Sequence, residues 1–243
     1  MDVYVVALFP ELVAPLFAES IVGRAVGEGL LRYFPVQIRD FSTHKHHAVD
    51  DTPSGGGRGM VMMAPPVVAA IESVPASPGA PRPRRVLLTP QGRVLNQRTA
   101  ERLAREPALM VICGRYEGFD ERIRAYVDEE ISVGDFVLTG GEPAAVVLLD
   151  AVVRLVPGVL GKAESAESES HNAEGLLEYP QYTRPVEFRG VKVPEVLSSG
   201  HHGRIARWRR WQQLRRTRAR RPDLFAKLPL SDADLAFLDG EEP

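Results

Sequence analysis

The chain has 243 residues, of which 44% are hydrophobic and 26% charged, and its formal net charge is −2. This composition is typical of a globular protein, and a chain of this length can bury a sizeable core. Its single cysteine, Cys113, excludes an intrachain disulfide and favours a reducing compartment. The N-terminal MDVYVVALFPEL lacks the basic region and cleavage site of a signal peptide, and no apolar run reaches the length of a membrane span. We therefore expect a cytoplasmic protein that does not enter a membrane.

Apolar runs and the stretches between them predict alternating strands and helices. Nearly unbroken apolar runs are typical of strands buried on both faces of a parallel sheet, and they occur at residues 3–9, 36–39, 86–88, 109–113 and 136–139. Helical patterns lie at residues 10–26, 96–105 and 143–156. The alternation predicts an α/β domain with a mostly parallel sheet over residues 1–161.

The composition changes after Gly161. Residues 162–174 read KAESAESESHNAE, which has no periodic apolar face and predicts a flexible linker. Beyond it we predict a small helical domain at residues 175–243. Its main helix carries an apolar stripe at every third residue and ends before Pro222; the stripe consists of Ile205, Trp208, Trp211 and Leu214.

The same helix is strongly basic. Between residues 201 and 222 there are nine arginines and no acidic residue. Arginine suits phosphate contacts, and the interleaved Trp208 and Trp211 could stack on bases, so we interpret this stretch as a nucleic-acid-binding surface. The alternative is a solvated charged face, which is what most charge runs are.

Three glycine-containing loops adjoin predicted strands, at residues 55–60, 113–122 and 132–142. The first lacks the Gly-Lys-Ser/Thr ending of a P-loop, and no G-x-G-x-x-G follows the first strand, so nucleotide hydrolysis and a Rossmann dinucleotide fold lose support. Any one loop could be only a tight turn. Two of them at successive strand ends favour a ligand site, because glycine lets the backbone approach a ligand closely.

A histidine-rich segment is the one candidate for a metal. His44, His46 and His47 lie beside Asp50 and Asp51, but the spacing that would orient ligands on a helix or hairpin is absent. We interpret the segment as a solvated polar loop and assign no metal-binding residue.

Several blocks together resemble a known family. They are LFPE at residues 8–11, SGGGRGMVMM at 54–63, CGRYEGFDER at 113–122, SVGDFVLTGGE at 132–142, PGVLG at 157–161 and EYPQYTRP at 178–185. Their order and identity resemble the bacterial tRNA (guanine-N1)-methyltransferases of the SPOUT class, over nearly the whole chain. The resemblance implies a deep trefoil knot near residues 86–140, which physical reasoning alone would not propose because knots are rare.

The resemblance also implies ligands and partners. The methyl donor S-adenosylmethionine would bind in the knot, the site would be shared across a homodimer, and magnesium would be needed for methyl transfer. The substrate would be the guanine immediately 3′ of the anticodon, in tRNAs whose preceding base is also guanine. The donor-binding positions carried over are Leu87, Leu88, Thr89, Gly114, Tyr116, Glu117, Gly118, Val133, Gly134, Asp135, Phe136, Val137, Leu138, Gly140 and Gly141.

Two catalytic residues follow from the same resemblance. Guanine N1 carries a proton that a general base must remove, and the charge that develops on O6 calls for a cation. Arg154 matches the family's catalytic arginine. The family's base is an aspartate in a pattern like E-x-D-S-F, which here reads ESESH, so Glu169 is the match and Glu167 is the alternative if the register slips.

Two rival functions remain open on the sequence. One is a SPOUT enzyme that methylates a ribose 2′-hydroxyl, which would not need a carboxylate base in the linker. The other is a tRNA-binding protein without catalysis, suggested by glutamate in place of the family's aspartate; such a protein has no reason to bind S-adenosylmethionine.

Overall fold

A computed structural model describes residues 1–74, 82–161, 169–171 and 174–239. The chain divides into two compact units, Met1–Gly161 and Lys162–Pro243. Within the described residues, no helix is both long and apolar enough to cross a membrane.

A five-stranded, all-parallel sheet forms the centre of the first unit, as the apolar runs predict. Its strands lie in the order β2-β1-β6-β5-β7. A separate antiparallel pair is formed by β3 and β4. The strands are β1 (Asp2–Ala7), β2 (Arg32–Gln37), β3 (Asp50–Asp51), β4 (Val61–Met62), β5 (Arg84–Val94), β6 (Ala108–Cys113) and β7 (Glu129–Ser132).

Helices cover both faces of this sheet. The helices α1 (Ser20–Gly27), α3 (Gln97–Leu103) and α4 (Gly141–Val153) contribute to one buried cluster, and α2 (Ala64–Glu72) contributes to the other. Successive β1 residues divide between the two clusters, with Val5 in the first and Val6 in the second. A strand buried on both sides must be apolar at nearly every position, which explains the unbroken apolar runs.

Several predicted elements differ from the observed ones. Residues 136–139 are not a strand; the strand of that region is β7, whose Glu129 is held by Arg84 and Arg102. Residues 36–39 end β2 and enter a 3₁₀ turn at Ile38–Phe41. The predicted helix at 10–26 begins as two 3₁₀ turns, Pro10–Leu12 and Ala14–Phe17, each with proline in its first turn, and only then becomes α1.

The described part of the second unit contains a short hairpin and helices around a tryptophan core. The elements are β8 (Glu187–Phe188), β9 (Val191–Lys192), α5 (Glu195–Ser198), α6 (His202–Arg220), α7 (Pro222–Phe225) and α8 (Asp232–Asp239). Trp208, Trp211 and Leu214 of α6 are buried, so the predicted stripe faces the core. The helix ends before Pro222, as predicted.

Candidate functional site

A cavity of about 290 Å³ lies at the carboxyl ends of the adjacent strands β6, β5 and β7. Ligands of open α/β sheets bind at this end of the strands. The cavity brings together all of the predicted donor-binding residues except Asp135. Those that line it are Leu87, Leu88, Thr89, Gly114, Tyr116, Glu117, Gly118, Val133, Gly134, Phe136, Val137, Leu138, Gly140 and Gly141.

The first wall of the cavity is the middle of β5. The pairing of β5 with β7 shifts register between Leu88 and Arg93, so the chain leaves the ladder there and returns to it. Thr89, Pro90 and Gln91 line the cavity along this detour. A Cβ at Gly92 would lie 2.5 Å from the Ile131 backbone nitrogen, so the two main chains are in direct contact there.

The second wall is the loop that follows β6. Tyr116 has φ of 60° and Gly118 has φ of 124°, both in the left-handed region. A non-glycine residue with positive φ is uncommon and tends to occur at functional sites. A Cβ at Gly118 would meet nothing within 4 Å, so here the loop needs glycine for its backbone angle and not for space.

The segment 54–63 supports this second loop from outside the cavity. The Glu117 amide donates to the Met60 carbonyl at 3.0 Å, and the Met62 amide donates to the Gly118 carbonyl at 2.9 Å. None of its residues lines the cavity. The first glycine-rich loop therefore braces the wall and does not itself form it.

The third wall is the loop between β7 and α4. The Gly141 amide donates to the Gly114 carbonyl at 2.7 Å, and a Cβ at Gly141 would lie 2.8 Å from the Cα of Cys113. The second and third loops are thus joined backbone to backbone. Asp135 is exposed at the apex of a tight turn in which the Phe136 amide donates to the Gly134 carbonyl, and it does not line the cavity. Its donor-binding role stays a prediction.

A buried ion pair that the sequence did not predict holds these loops to the end of β1. Glu142 is fully buried in the first turn of α4, and its Oε2 lies 3.2 Å from Nε of Arg115. Its Oε1 accepts the Phe9 amide at 3.2 Å, and the Arg115 guanidinium lies 4.5 Å from the Phe9 ring centre. Both residues stand inside quoted motifs, but nothing in the spacing indicates that they pair across 27 positions.

Ion pairs and burial shift the pKa values of three groups in or beside the cavity. Arg124 lines it and bonds to Glu121, Glu130 and Gln91. Next to Glu121, a hydrogen bond from Arg122 lowers the pKa of Asp120 to about 2. Behind the second and third loops, burial raises the pKa of the Cys113 thiol well above its ordinary value, so it remains protonated.

The two candidate catalytic residues belong to different compact units. Arg154 follows directly after α4 in the first unit and is half-buried. Glu169 is half-buried and belongs to the second unit, and Glu167 lies outside the described residues.

The histidine segment carries no metal centre in the described part of the chain. Within the residues described, no group of three or more histidine, cysteine or acidic side chains is arranged to hold a metal ion. His47 bonds through its ring Nδ1 to the Arg39 carbonyl at 3.2 Å.

The arginine-rich helix α6 differs from its prediction in two ways. Two of the nine arginines are ion-paired: Arg210 with Asp234 and Glu174, and Arg221 with Asp223. The tryptophans are inaccessible for base stacking, because Trp208 is fully buried and Trp211 is 3% exposed. Among described residues, no carboxylate pairs with Arg204, Arg207, Arg209, Arg215, Arg216, Arg218 or Arg220.

Glycine loops around a cavity at the carboxyl ends of parallel strands define an α/β ligand-binding domain. A sequence model of the tRNA (Guanine-1)-methyltransferase TrmD family matches residues 1–227. A Symbiobacterium thermophilum protein named tRNA (guanine-N(1)-)-methyltransferase is 56% identical over 241 residues, 98% of this chain and 97% of its own. Proteins of the same name from Dehalococcoides mccartyi and Geotalea uraniireducens are 54% and 56% identical, covering 98% and 97% of this chain and 96% and 94% of theirs. The chain therefore belongs to this family, which confirms the resemblance seen in its motifs.

Proposed function

We propose that this protein transfers a methyl group from S-adenosylmethionine to N1 of the guanine immediately 3′ of the anticodon in tRNA. The observation that carries the proposal is the cavity at the ends of β5, β6 and β7, because it gathers nearly all positions matched to the family's donor site. A 2′-O-methyltransferase or a tRNA-binding protein without activity is not favoured, since the relatives that cover the chain are named as guanine-N1 enzymes.

The cavity fits a donor held mainly by backbone. Gly118, Gly134 and Gly140 line its walls, and because glycine has no side chain, a ligand can approach the backbone at these positions. The apolar floor of the cavity includes Leu87 and Leu88. S-Adenosylmethionine would supply an electrophilic methyl group on a positively charged sulfur, so the protein needs no covalent intermediate. The donor-binding role of the lining residues, and of Asp135 at the neighbouring turn, is part of this proposal.

Two side chains of this chain would manage the proton and the charge. Glu169 would accept the N1 proton of guanine, and the freed N1 electron pair would form the new N–C bond as the C–S bond of the donor breaks. Arg154 would stabilise the negative charge that develops on O6 while N1 loses its proton. Glu167 is the alternative base.

Magnesium is not assigned to this protein's own side chains. Within the described ranges, the acidic and histidine residues form no group able to hold a metal ion. The family resemblance implies that methyl transfer needs magnesium, and that requirement is part of this proposal.

The remaining architecture is proposed from the family together with local contacts. We propose a trefoil knot around residues 86–140, as the family resemblance implies, and the close backbone approaches at Gly92 and Gly141 are compatible with it. We also propose a cytoplasmic homodimer with a shared site, a linker at residues 162–174 and a tRNA-binding domain at 175–243. Exposed apolar side chains of the first unit, Phe136 and Val137 at the cavity and Val147 on α4, are suited to contact with a second copy.

Mass analysis of tRNA tests the activity directly. A tRNA with guanine at both positions, incubated with the protein and isotope-labelled donor, should gain one methyl on the base 3′ of the anticodon, and nuclease digestion should yield 1-methylguanosine. A methyl recovered on ribose would support the 2′-O alternative. Bound tRNA without methylation or measurable donor binding would support the protein without catalysis.

A further inference from the structure

The C-terminal unit has a cavity of its own that the methyl-transfer chemistry does not use. It measures about 560 Å³ and lies between the segment that follows the linker and the helices α5 and α6. Its apolar base includes Leu197 and Ile205, both half-buried, and its walls include Tyr179 and Tyr182. The cavity therefore combines an apolar floor with aromatic sides.

Flat groups and positive charge dominate the opening of this cavity. The guanidinium of Arg209 lies 4.6 Å from the ring centre of Tyr179, as in a cation–π pair. Arg184 also lines the cavity and is exposed, and no lining residue is acidic. An anionic ligand with a flat, partly apolar body matches this surface in both charge and shape.

Tyr182 offers a fixed aromatic face at the same place. Its side chain is 44% exposed, and its ring centre lies 6.5 Å from that of the buried Trp208 at an interplanar angle of 50°. The tryptophan thus supports the tyrosine from behind and does not itself reach a ligand. The accessible aromatic rings of this unit's cavity are therefore those of Tyr179 and Tyr182, and not the tryptophans that the sequence suggested for stacking.

We propose that this cavity receives one unpaired nucleobase of the tRNA substrate, stacked on Tyr182 and Arg209, with the adjoining phosphate on Arg184. The proposal rests on tRNA being the substrate of the proposed methyl transfer. Unpaired bases in RNA loops are commonly bound by stacking on aromatic rings or arginine planes, next to a cationic path for the backbone. A contact of this kind would contribute to the choice of tRNA substrate.

A matched pair of substitutions at Tyr182 tests the stack. Tyr182→Leu should weaken tRNA binding by about 5- to 150-fold, the range expected from losing one stacked base, whereas Tyr182→Phe should bind nearly as tightly as wild type. Because stacking releases no counterions, Tyr182→Leu should leave the salt dependence of binding unchanged. Arg209→Lys keeps the positive charge but loses the planar guanidinium group, so it should also weaken tRNA binding.

Donor affinity and circular dichroism of each variant should match wild type, which shows that the variants are folded. Equal tRNA affinity for Tyr182→Leu and wild type would overturn the proposal. So would a flatter salt dependence in Tyr182→Leu, since that would mean a phosphate contact and not a stacked base.

Photocrosslinking identifies the occupant. A benzophenone amino acid introduced at position 182 of the full chain should crosslink to an unpaired nucleotide of tRNA, identified by mass spectrometry of the digested RNA. Crosslinks only to paired stem nucleotides, or only to a second copy of the chain, would overturn the proposal. Methylation by the wild-type protein, measured in parallel, separates this proposal from the proposed activity. If 1-methylguanosine forms but substitution of Tyr182 does not change tRNA affinity, only the stacking proposal is refuted. If tRNA affinity depends on Tyr182 but no methylation occurs, only the proposed activity is refuted.

Discussion

The two cavities of this protein are built by different means. In the first unit the walls are mostly main chain, joined by the bond from the Gly141 amide to the Gly114 carbonyl and in close contact at Gly92. In the C-terminal unit the walls are side chains, such as Arg209 and Tyr182, presented from a helix and a neighbouring segment over a tryptophan core.

This difference predicts different responses to mutation. A backbone-walled site has little freedom to absorb an added Cβ, because the atoms it meets belong to other loops. A site of exposed side chains loses affinity one side chain at a time, and its charged interactions weaken as salt rises. Substitutions in each unit test this contrast, beginning with the catalytic step, to which each unit would contribute one side chain.

The largest effect is expected at the general base. Glu169→Gln keeps the shape of the side chain but removes its basicity, and should slow single-turnover methyl transfer by about 10²–10⁴-fold. Glu169→Asp should keep substantial activity. The measurement is the rate at saturating tRNA and donor across pH.

Glu167→Gln is the matched control for that experiment. It should have little effect if the register is right. A normal rate for Glu169→Gln together with a slow Glu167→Gln would shift the assignment by two residues, and normal rates for both would remove the linker carboxylates from the chemistry.

A smaller but specific effect is expected from a single methyl group at Gly140. Its Cβ would lie 2.7 Å from Oε2 of Glu142 and 3.0 Å from Cζ of Arg115, so Gly140→Ala must displace the buried ion pair. Donor binding would need the wild-type geometry of these loops, and restoring that geometry against overpacking costs about 1–3 kcal/mol, so donor affinity should fall by about 5- to 150-fold in calorimetric titration.

Gly27→Ala provides the comparison, since a Cβ there would meet nothing within 4 Å. It should leave donor affinity unchanged. If Gly140→Ala, folded by circular dichroism, bound the donor as tightly as wild type, the cavity would not be the donor site or its walls would be far more compliant than the interatomic distances indicate.

The smallest effect is expected for the arginines of α6 that pair with no described carboxylate. Replacing Arg215 and Arg216 with alanine should weaken tRNA binding modestly and reduce the slope of log affinity against log salt by about 0.7–0.9 for each phosphate that the protein no longer neutralises. Donor affinity should not change. Arg221→Ala removes an arginine already paired with Asp223 and should alter the slope less. An unaltered slope in the double variant would mean that this face of α6 is exposed to solvent and contacts no phosphate.

Sequence reasoning found the parts of the fold that depend on one segment at a time. The runs around Val5 and Val111 predicted parallel strands because a doubly buried strand has to be apolar. The same rule failed at Val137, which is 88% exposed on a loop, and it missed β7, whose Glu129 is satisfied by arginines from other elements. Hydrophobicity in one segment does not say whether another segment will cover it.

The residues that line the first unit's cavity could be named mainly because the motifs resemble a known family, while the glycines of two loops indicated only that a ligand site lies there. The partners that hold those loops were not predictable, since Glu142 contacts Arg115 and the Phe9 amide only after the strands are ordered in the sheet. The predicted stacking of the α6 tryptophans on bases failed for a related reason. The spacing of the apolar residues predicted correctly that they share one face of the helix, but the neighbouring arginines suggested that this face was exposed to solvent.

The bond from the Phe9 amide to Glu142 links the end of β1 to the donor cavity energetically. Any ligand that restrains the third loop also restrains Glu142 and, through it, the strand end, so amide exchange at Phe9 should slow when the donor binds. Such coupling is reciprocal: if donor binding stabilises the contact between Phe9 and Glu142 by some free energy, loss of that contact weakens donor binding by the same amount. A strand end 133 residues away in sequence from Glu142 is therefore a point from which affinity in the cavity can be tuned.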